Sequence, residues 1–176
     1  MKFVRLSVWI FACLLLVSCQ SPPKERGEFR PADLVELVKL DPTLRLEIRY
    51  ASTNNFLHRP VYRQARAFLQ KPAAEALVRA NESLRRLGYG LLVFDGYRPW
   101  SVTMTFWRSA TQQQRDIGFV ANPAEGSKHN RGCAVDLTLW ELATGKEVAM
   151  PSAYDEFSDR AFPSYQGGSA ESRRLR

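Results

Sequence analysis

The stretch from Pro72 to Pro99 constrains the fold more than any other part of the chain. Ala73, Ala76, Leu77, Ala80, Leu84 and Leu87 recur at helical spacing, with Pro72 suited to a first turn and Gly88 to a stop. Directly after it, Gly90-Leu91-Leu92-Val93-Phe94 is a short apolar run of the buried-strand type, and it leads straight into Asp95-Gly96-Tyr97-Arg98-Pro99. The pattern predicts a helix packed on a sheet, with an acid and a base delivered at the end of a buried strand.

Other segments extend this picture. Leu44, Leu46 and Ile48 alternate with Arg45, Glu47 and Arg49 after an Asp41-Pro42 turn, the period of a half-buried strand that hands Tyr50 and Asn54-Asn55-Phe56 to a loop. A second helix is expected from Pro99 to about Ala110, with Trp100, Phe106 and Trp107 in the core. Cys133, Val135, Leu137 and Leu139 alternate with Ala134, Asp136, Thr138 and Trp140, which predicts a strand with one apolar face and Asp136 on the other. Thr144-Gly145-Lys146 turns that strand, and Glu147 to Met150 is expected to pair back as a hairpin. Beyond Met150 the chain reads as loop, ending in Glu171 to Arg176 with helical propensity. The expected architecture is α+β, a small antiparallel sheet carrying a cleft with helices packed on one face.

With 176 residues, 45% hydrophobic and 24% charged, the chain suffices for one domain with a real core. Its start reads differently. Lys2 and Arg5 precede an apolar run from Val8 to Val17 that is short for an ordinary membrane-spanning helix, so residues 1–18 are expected to be a signal peptide. Leu16-Val17-Ser18-Cys19 resembles a bacterial lipobox, which makes Cys19 the expected lipidated N-terminus; an ordinary secretory signal exports the protein equally. Residues 19–28, polar with two prolines, read as a tether to a domain over 29–176. Loss of Lys2 and Arg5 leaves 23 Lys and Arg against 18 Asp and Glu, about +5. These basic residues are scattered without a nucleic-acid motif, so no nucleic-acid partner is expected. After processing and lipidation Cys133 is the remaining thiol, and one thiol makes no internal disulfide. Nothing in the sequence specifies an oligomeric state.

The chemistry concentrates in Ser127-Lys128-His129-Asn130-Arg131-Gly132 and Asp136. A loop imidazole and a carboxylate on the strand that the loop enters can reach one zinc ion, which accepts both donor types. Spacing alone is weak evidence, and its default reading is a loop histidine with a solvated aspartate.

Combined with Asp95-Gly96-Tyr97-Arg98-Pro99, the Ser-x-His-x-x-Gly-x-Ala-x-Asp pattern resembles the D-alanyl-D-alanine dipeptidases, the type known from vancomycin resistance. Tyr50 to Phe56, Gly88 to Leu92, Gly132 to Leu139 and Tyr154 to Phe157 match that family's pattern in the same order. The resemblance implies that His129 and Asp136 are zinc ligands and that Arg98 stabilises an oxyanion. It further implies that Asp155 pairs with the ammonium of a dipeptide, with Ser127 and Tyr50 lining the substrate site; a capping role for Ser127 is as good a reading. The implied reaction is zinc-dependent hydrolysis of D-Ala-D-Ala in wall turnover, and the lipobox fits an envelope protein on the periplasmic side of a membrane. Related wall D,D-carboxypeptidases or endopeptidases, and an impaired lipoprotein that binds wall peptides, are the alternatives.

One element of the implied pattern has no counterpart. The family draws its third zinc ligand and general base from a C-terminal Glu-x-x-His, whereas this sequence has two histidines, His58 and His129, and His58 reads as a surface-loop residue. The domain over 29–176 is therefore expected to be incomplete at its C-terminus and its activity reduced.

Overall fold

The computed structural model describes residues 21–24 and 26–176, so the expected signal peptide, Cys19 and part of the tether lie outside the described residues. Chain order runs β1 (Leu34–Glu36), α1 (Leu37–Leu40), β2 (Arg45–Leu46), β3 (Phe68–Gln70), α2 (Lys71–Arg85), β4 (Tyr89–Asp95), α3 (Trp100–Ser109), α4 (Gln112–Asp116), β5 (Asp136–Glu141) and α5 (Ala170–Leu175). Single 3-10 turns form at Arg49–Ala51, His129–Arg131 and Asp159–Ala161. Among the described residues no helix is long and apolar enough to cross a membrane.

The class is α+β, as expected, and α2, β4 and α3 form where the periodicity puts them. The sheet is mixed rather than wholly antiparallel. β4 is its central strand, antiparallel to β5 but parallel to β2, while β1 and β3 form a separate antiparallel pair. The physical reason is the connection: the segment joining β2 to β4 contains α2, and a crossover through a helix returns the chain in the same direction. β2 is also shorter than the alternation predicts. Leu44 and Ile48 are buried and Arg45 and Glu47 exposed, as a strand pattern requires, but the backbone turns into the 3-10 turn at Arg49 and so buries Tyr50.

Leu91 and Val93 of β4, Leu139 of β5 and Ala74 and Leu77 of α2 share one core with Leu37, Leu44, Ile48 and Leu69. A second cluster gathers Tyr50, Val102, Phe106, Ala110 and Val120 around α3. Of the aromatics expected inside, Phe106 is buried, whereas Trp100 and Trp107 remain partly exposed. β5 starts at Asp136, later than the alternation from Cys133 suggests, because Cys133 N–H bonds back to the Lys128 carbonyl at 3.0 Å. Its apolar face is incomplete, since Leu139 is buried and Leu137 is 37% exposed. Glu147 and Val148 do pair back, the latter donating to the Leu139 carbonyl at 2.9 Å.

One buried amide fixes the spacing of helix and sheet. Asn81, fully buried on α2, donates to Asp41 Oδ2 at 2.8 Å and Thr43 Oγ1 at 2.9 Å and accepts from Leu91 N–H at 3.0 Å. It joins α2 to the turn before β2 and to β4 at once. Burial pushes the Asp41 carboxyl up, but the hydrogen bonds from Thr43 and Asn81 outweigh it and leave the group below the usual range. A lowered folded value means stability that is complete above the unfolded aspartate value of about 3.9 and is lost as pH falls toward the folded one. In urea unfolding from pH 7 to 3, Asp41→Asn is expected to be the less stable protein at neutral pH, with its deficit closing below about pH 4.

Candidate metal centre

Two loops are stitched together at the end of β4. Gly96 follows the strand where a Cβ would lie 2.8 Å from the Phe68 carbonyl, so no side chain fits, and Tyr97 N–H donates to that carbonyl at 2.7 Å. Arg98 N–H then donates to the His129 carbonyl at 3.0 Å, and the Asn130 amide donates to the Arg98 carbonyl and to Thr103 Oγ1, both at 2.8 Å. Within the second loop, Ser127 Oγ accepts from His129 N–H at 3.2 Å and Ser127 N–H donates to Asn130 Oδ1 at 2.9 Å. Ser127 thus caps the turn that carries His129, and it also lines the cleft.

His129 Nδ1 lies 2.9 Å from the Gly96 carbonyl. A carbonyl only accepts, so that contact puts a proton on Nδ1 and, in the neutral ring, leaves the Nε2 lone pair free. Nε2 faces Asp136 Oδ1 at 3.4 Å. Two ligand atoms about 2.1 Å from one tetrahedral ion stand about 3.4 Å apart, so the pair already has the spacing of one edge of a zinc polyhedron. Burial opposes both charges, yet the mutual contact prevails: His129 is raised and Asp136, also facing Arg98 and Tyr154, is lowered.

Asp95 completes the one set of three ligand-type side chains close enough for a metal among the described residues, all within 4.8 Å of each other. A β-bulge aligns Asp95 rather than Phe94 with Asp136. Its oxygens are nonetheless occupied. Oδ1 accepts from the Tyr62 hydroxyl and Gly96 N–H, each at 2.9 Å, and Oδ2 accepts from Arg98 Nε at 2.9 Å, with Arg98 Nη2 in ion-pair contact at 2.8 Å. Asp95 therefore holds Arg98, and His129 and Asp136 are the donors left for a cation.

Arg98 is buried, with its guanidinium 4.6 Å from the Phe106 ring centre and 5.5 Å from that of Tyr50, and its Nη2 is 3.4 Å from Asp136 Oδ2. Burial alone would lower its pKa, but Asp95 and the neighbouring acids raise it, so the charge is permanent. Across the cleft, Asp155 accepts from the Tyr50 hydroxyl at 2.9 Å and from Phe56 N–H at 3.1 Å. Burial pushes its carboxyl up against the pull of those two bonds. Tyr50, Arg98, Ser127, His129, Asp136 and Asp155, singled out from the sequence, all line this one cleft. His58 is an exposed loop residue with left-handed backbone, φ 52°, away from it.

Sequence reasoning gave no role to Asp95, Tyr62, Asn130 or Tyr154, whose hydroxyl lies 3.2 Å from Asp136 Oδ2. Asp95 and Tyr154 sit inside quoted motifs; Tyr62 carries no local signal. Taken together, the cleft offers a neutral nitrogen and a carboxylate to a cation, a fixed guanidinium to developing negative charge, and a second carboxylate to a positive group.

Gly132 is where the loop is least tolerant of change. Its φ is 68°, and an added Cβ would meet Leu34 Cδ2 at 2.7 Å and Gln70 N at 3.2 Å. Gly132→Ala is expected to lower unfolding free energy in urea by about 1–3 kcal/mol and to weaken metal binding with it, since the turn bearing His129 must shift.

The sequence matches the model of the Peptidase_M15 family, described as D-ala-D-ala dipeptidase, over residues 30–176. It is 33% identical to the D-alanyl-D-alanine dipeptidase of Escherichia coli over 73% of this chain and 64% of that protein, so the match spans less than two thirds of that relative. It is 35% identical to the enzyme of the same name from Enterococcus faecalis, over 76% of this chain and 74% of that one. The Enterococcus faecium protein is 34% identical over 70% and 69%. With a family model covering nearly all the described residues, the chain belongs to the Peptidase_M15 D-ala-D-ala dipeptidase family.

Proposed function

We propose that this chain is a zinc-dependent dipeptidase that hydrolyses D-Ala-D-Ala to two D-alanines. The observation that carries the reading is the gathering of the His129–Asp136 pair, Arg98 and Asp155 around one cleft. Relatives named D-alanyl-D-alanine dipeptidase support the choice of substrate. His129 Nε2 and Asp136 Oδ1 would hold the ion, and an imidazole nitrogen with a carboxylate oxygen is a donor pair that suits zinc. Bound zinc supplies Lewis acidity and a water of lowered pKa.

The remaining work falls to side chains. Arg98, held on one edge by Asp95, turns its guanidinium toward the cleft and meets the negative charge that grows on the carbonyl oxygen. Asp155 receives the substrate ammonium on oxygens that each already accept one hydrogen bond and have lone pairs to spare. Tyr50 keeps that carboxylate turned inward, and Ser127 holds the His129 turn. This anchoring explains a preference for dipeptides, because a longer or acylated chain has no ammonium at that distance. A third protein ligand and a general base complete such a centre. Among the described residues the nearest ligand-type side chain is Asp95, and it is engaged with Arg98.

Cys19 after Leu16-Val17-Ser18 supports an envelope lipoprotein tethered through residues 19–28, with a role in turnover of wall dipeptide. Replacing the lipobox cysteine, Cys19→Ser, is expected to move the protein from the membrane fraction to the soluble fraction on cell fractionation.

The decisive assay is release of free D-alanine by the zinc-loaded protein from D-Ala-D-Ala and from its N-acetyl derivative. Cleavage of the dipeptide alone is expected; cleavage of the acylated or longer peptides instead would make the protein a carboxypeptidase or endopeptidase. Asp155→Asn, which keeps the backbone conformation, should raise KM for the dipeptide by at least about 10-fold. In the parent, KM should climb on acidification as Asp155 protonates, beginning at a higher pH than an ordinary aspartate with its value near 3.9 would give.

A further inference from the structure

The two oxygens of Asp136 keep different company. Oδ1 faces His129 Nε2 at 3.4 Å, on the side where a metal ion would sit, whereas Oδ2 is met by the Tyr154 hydroxyl at 3.2 Å and by Arg98 Nη2 at 3.4 Å. The two donors are not equivalent. Arg98 is committed to Asp95 through Nε and Nη2, and the proposed reaction gives it a second task on the substrate. Tyr154 gives its one hydroxyl proton to Asp136. Its ring packs 4.9 Å from that of Phe94 and 6.0 Å from that of Tyr50, centre to centre, which fixes where the hydroxyl points.

A carboxylate is soft about its last torsion, and Asp136 stands at the first residue of β5 with its side chain 34% exposed. Which oxygen meets a metal is then decided by the donor on the other one. The chain brings that donor to the site through the left-handed backbone at Asp155, φ 57°, where an extended strand would send neighbouring side chains to opposite sides. Both Tyr154 and Asp155 face the cleft instead, one toward Asp136 and the other toward Tyr50 and Phe56.

We propose that Tyr154 is a positioning residue of the metal centre: its hydroxyl donates to Asp136 Oδ2 and keeps Oδ1 turned toward His129, so that Asp136 binds a cation through one oxygen in a fixed orientation. This rests on the zinc reading of His129 and Asp136. It also makes consecutive residues responsible for two ends of the site, Tyr154 for the ligand and Asp155 for the substrate ammonium.

The test is zinc affinity, measured by competition with a chromophoric chelator, for the parent, Tyr154→Phe, His129→Ala, and Asp136→Ala with and without Tyr154→Phe. Tyr154→Phe is expected to weaken zinc binding on the order of 10-fold while the metal-free protein melts within a few degrees of the parent. In an Asp136→Ala background the Tyr154 change should cost nothing further, because its partner is gone. Equal affinity of parent and Tyr154→Phe, or a further 10-fold loss in the Asp136→Ala background, overturns the proposal and leaves the zinc reading standing. Zinc bound as tightly by His129→Ala as by the parent overturns the zinc reading, and the role of Tyr154 with it.

Discussion

The site depends on the ion pair between Asp95 and Arg98 at the end of β4. Both groups are buried, and an isolated charge there would be costly, so each is tolerable because of the other and of the Tyr62 hydroxyl and Gly96 N–H that complete the acid's bonding. Through its backbone the same arginine receives the loop that carries His129, and through Nη2 it reaches Asp136. A strand end, an ion pair and the loop that carries His129 are thus one assembly. The pair also explains why Asp95, though near enough to a cation, is not free to bind one.

Much of this was legible in the sequence, for identifiable reasons. Helical spacing from Ala73 to Leu84 and the apolar run of β4 are local signals with a single physical reading, and the structure follows them. Class came through for the same reason. Strand direction did not, because side-chain alternation in Leu44, Leu46 and Ile48 reports burial and is blind to whether the neighbour runs parallel; that is settled by α2 lying between β2 and β4. The extent of β5 was overread for a related reason: the alternation starts at Cys133, whose N–H bonds back to the Lys128 carbonyl and not to a strand.

The site itself divides along the same line. His129, Asp136, Arg98 and Asp155 were found through motifs that name chemical types at fixed spacings, and all four reach one cleft. Their supports escaped, because support is a matter of who lies opposite. Nothing about Tyr62 in the sequence announces that its hydroxyl will close on Asp95 thirty-three residues later, and Tyr154 reads as one aromatic among several until its hydroxyl is found against Asp136. Ser127 is a mixed case, since it both caps the turn and faces the cleft.

Cys133 lies between the two proposed ligands in sequence, exposed and with a free thiol, on the short segment that closes the His129 turn and opens β5. It is the free thiol among the described residues. A fluorophore attached there would ride on the loop whose posture the ion should set. The protein carries, without engineering, an attachment point beside the proposed metal site.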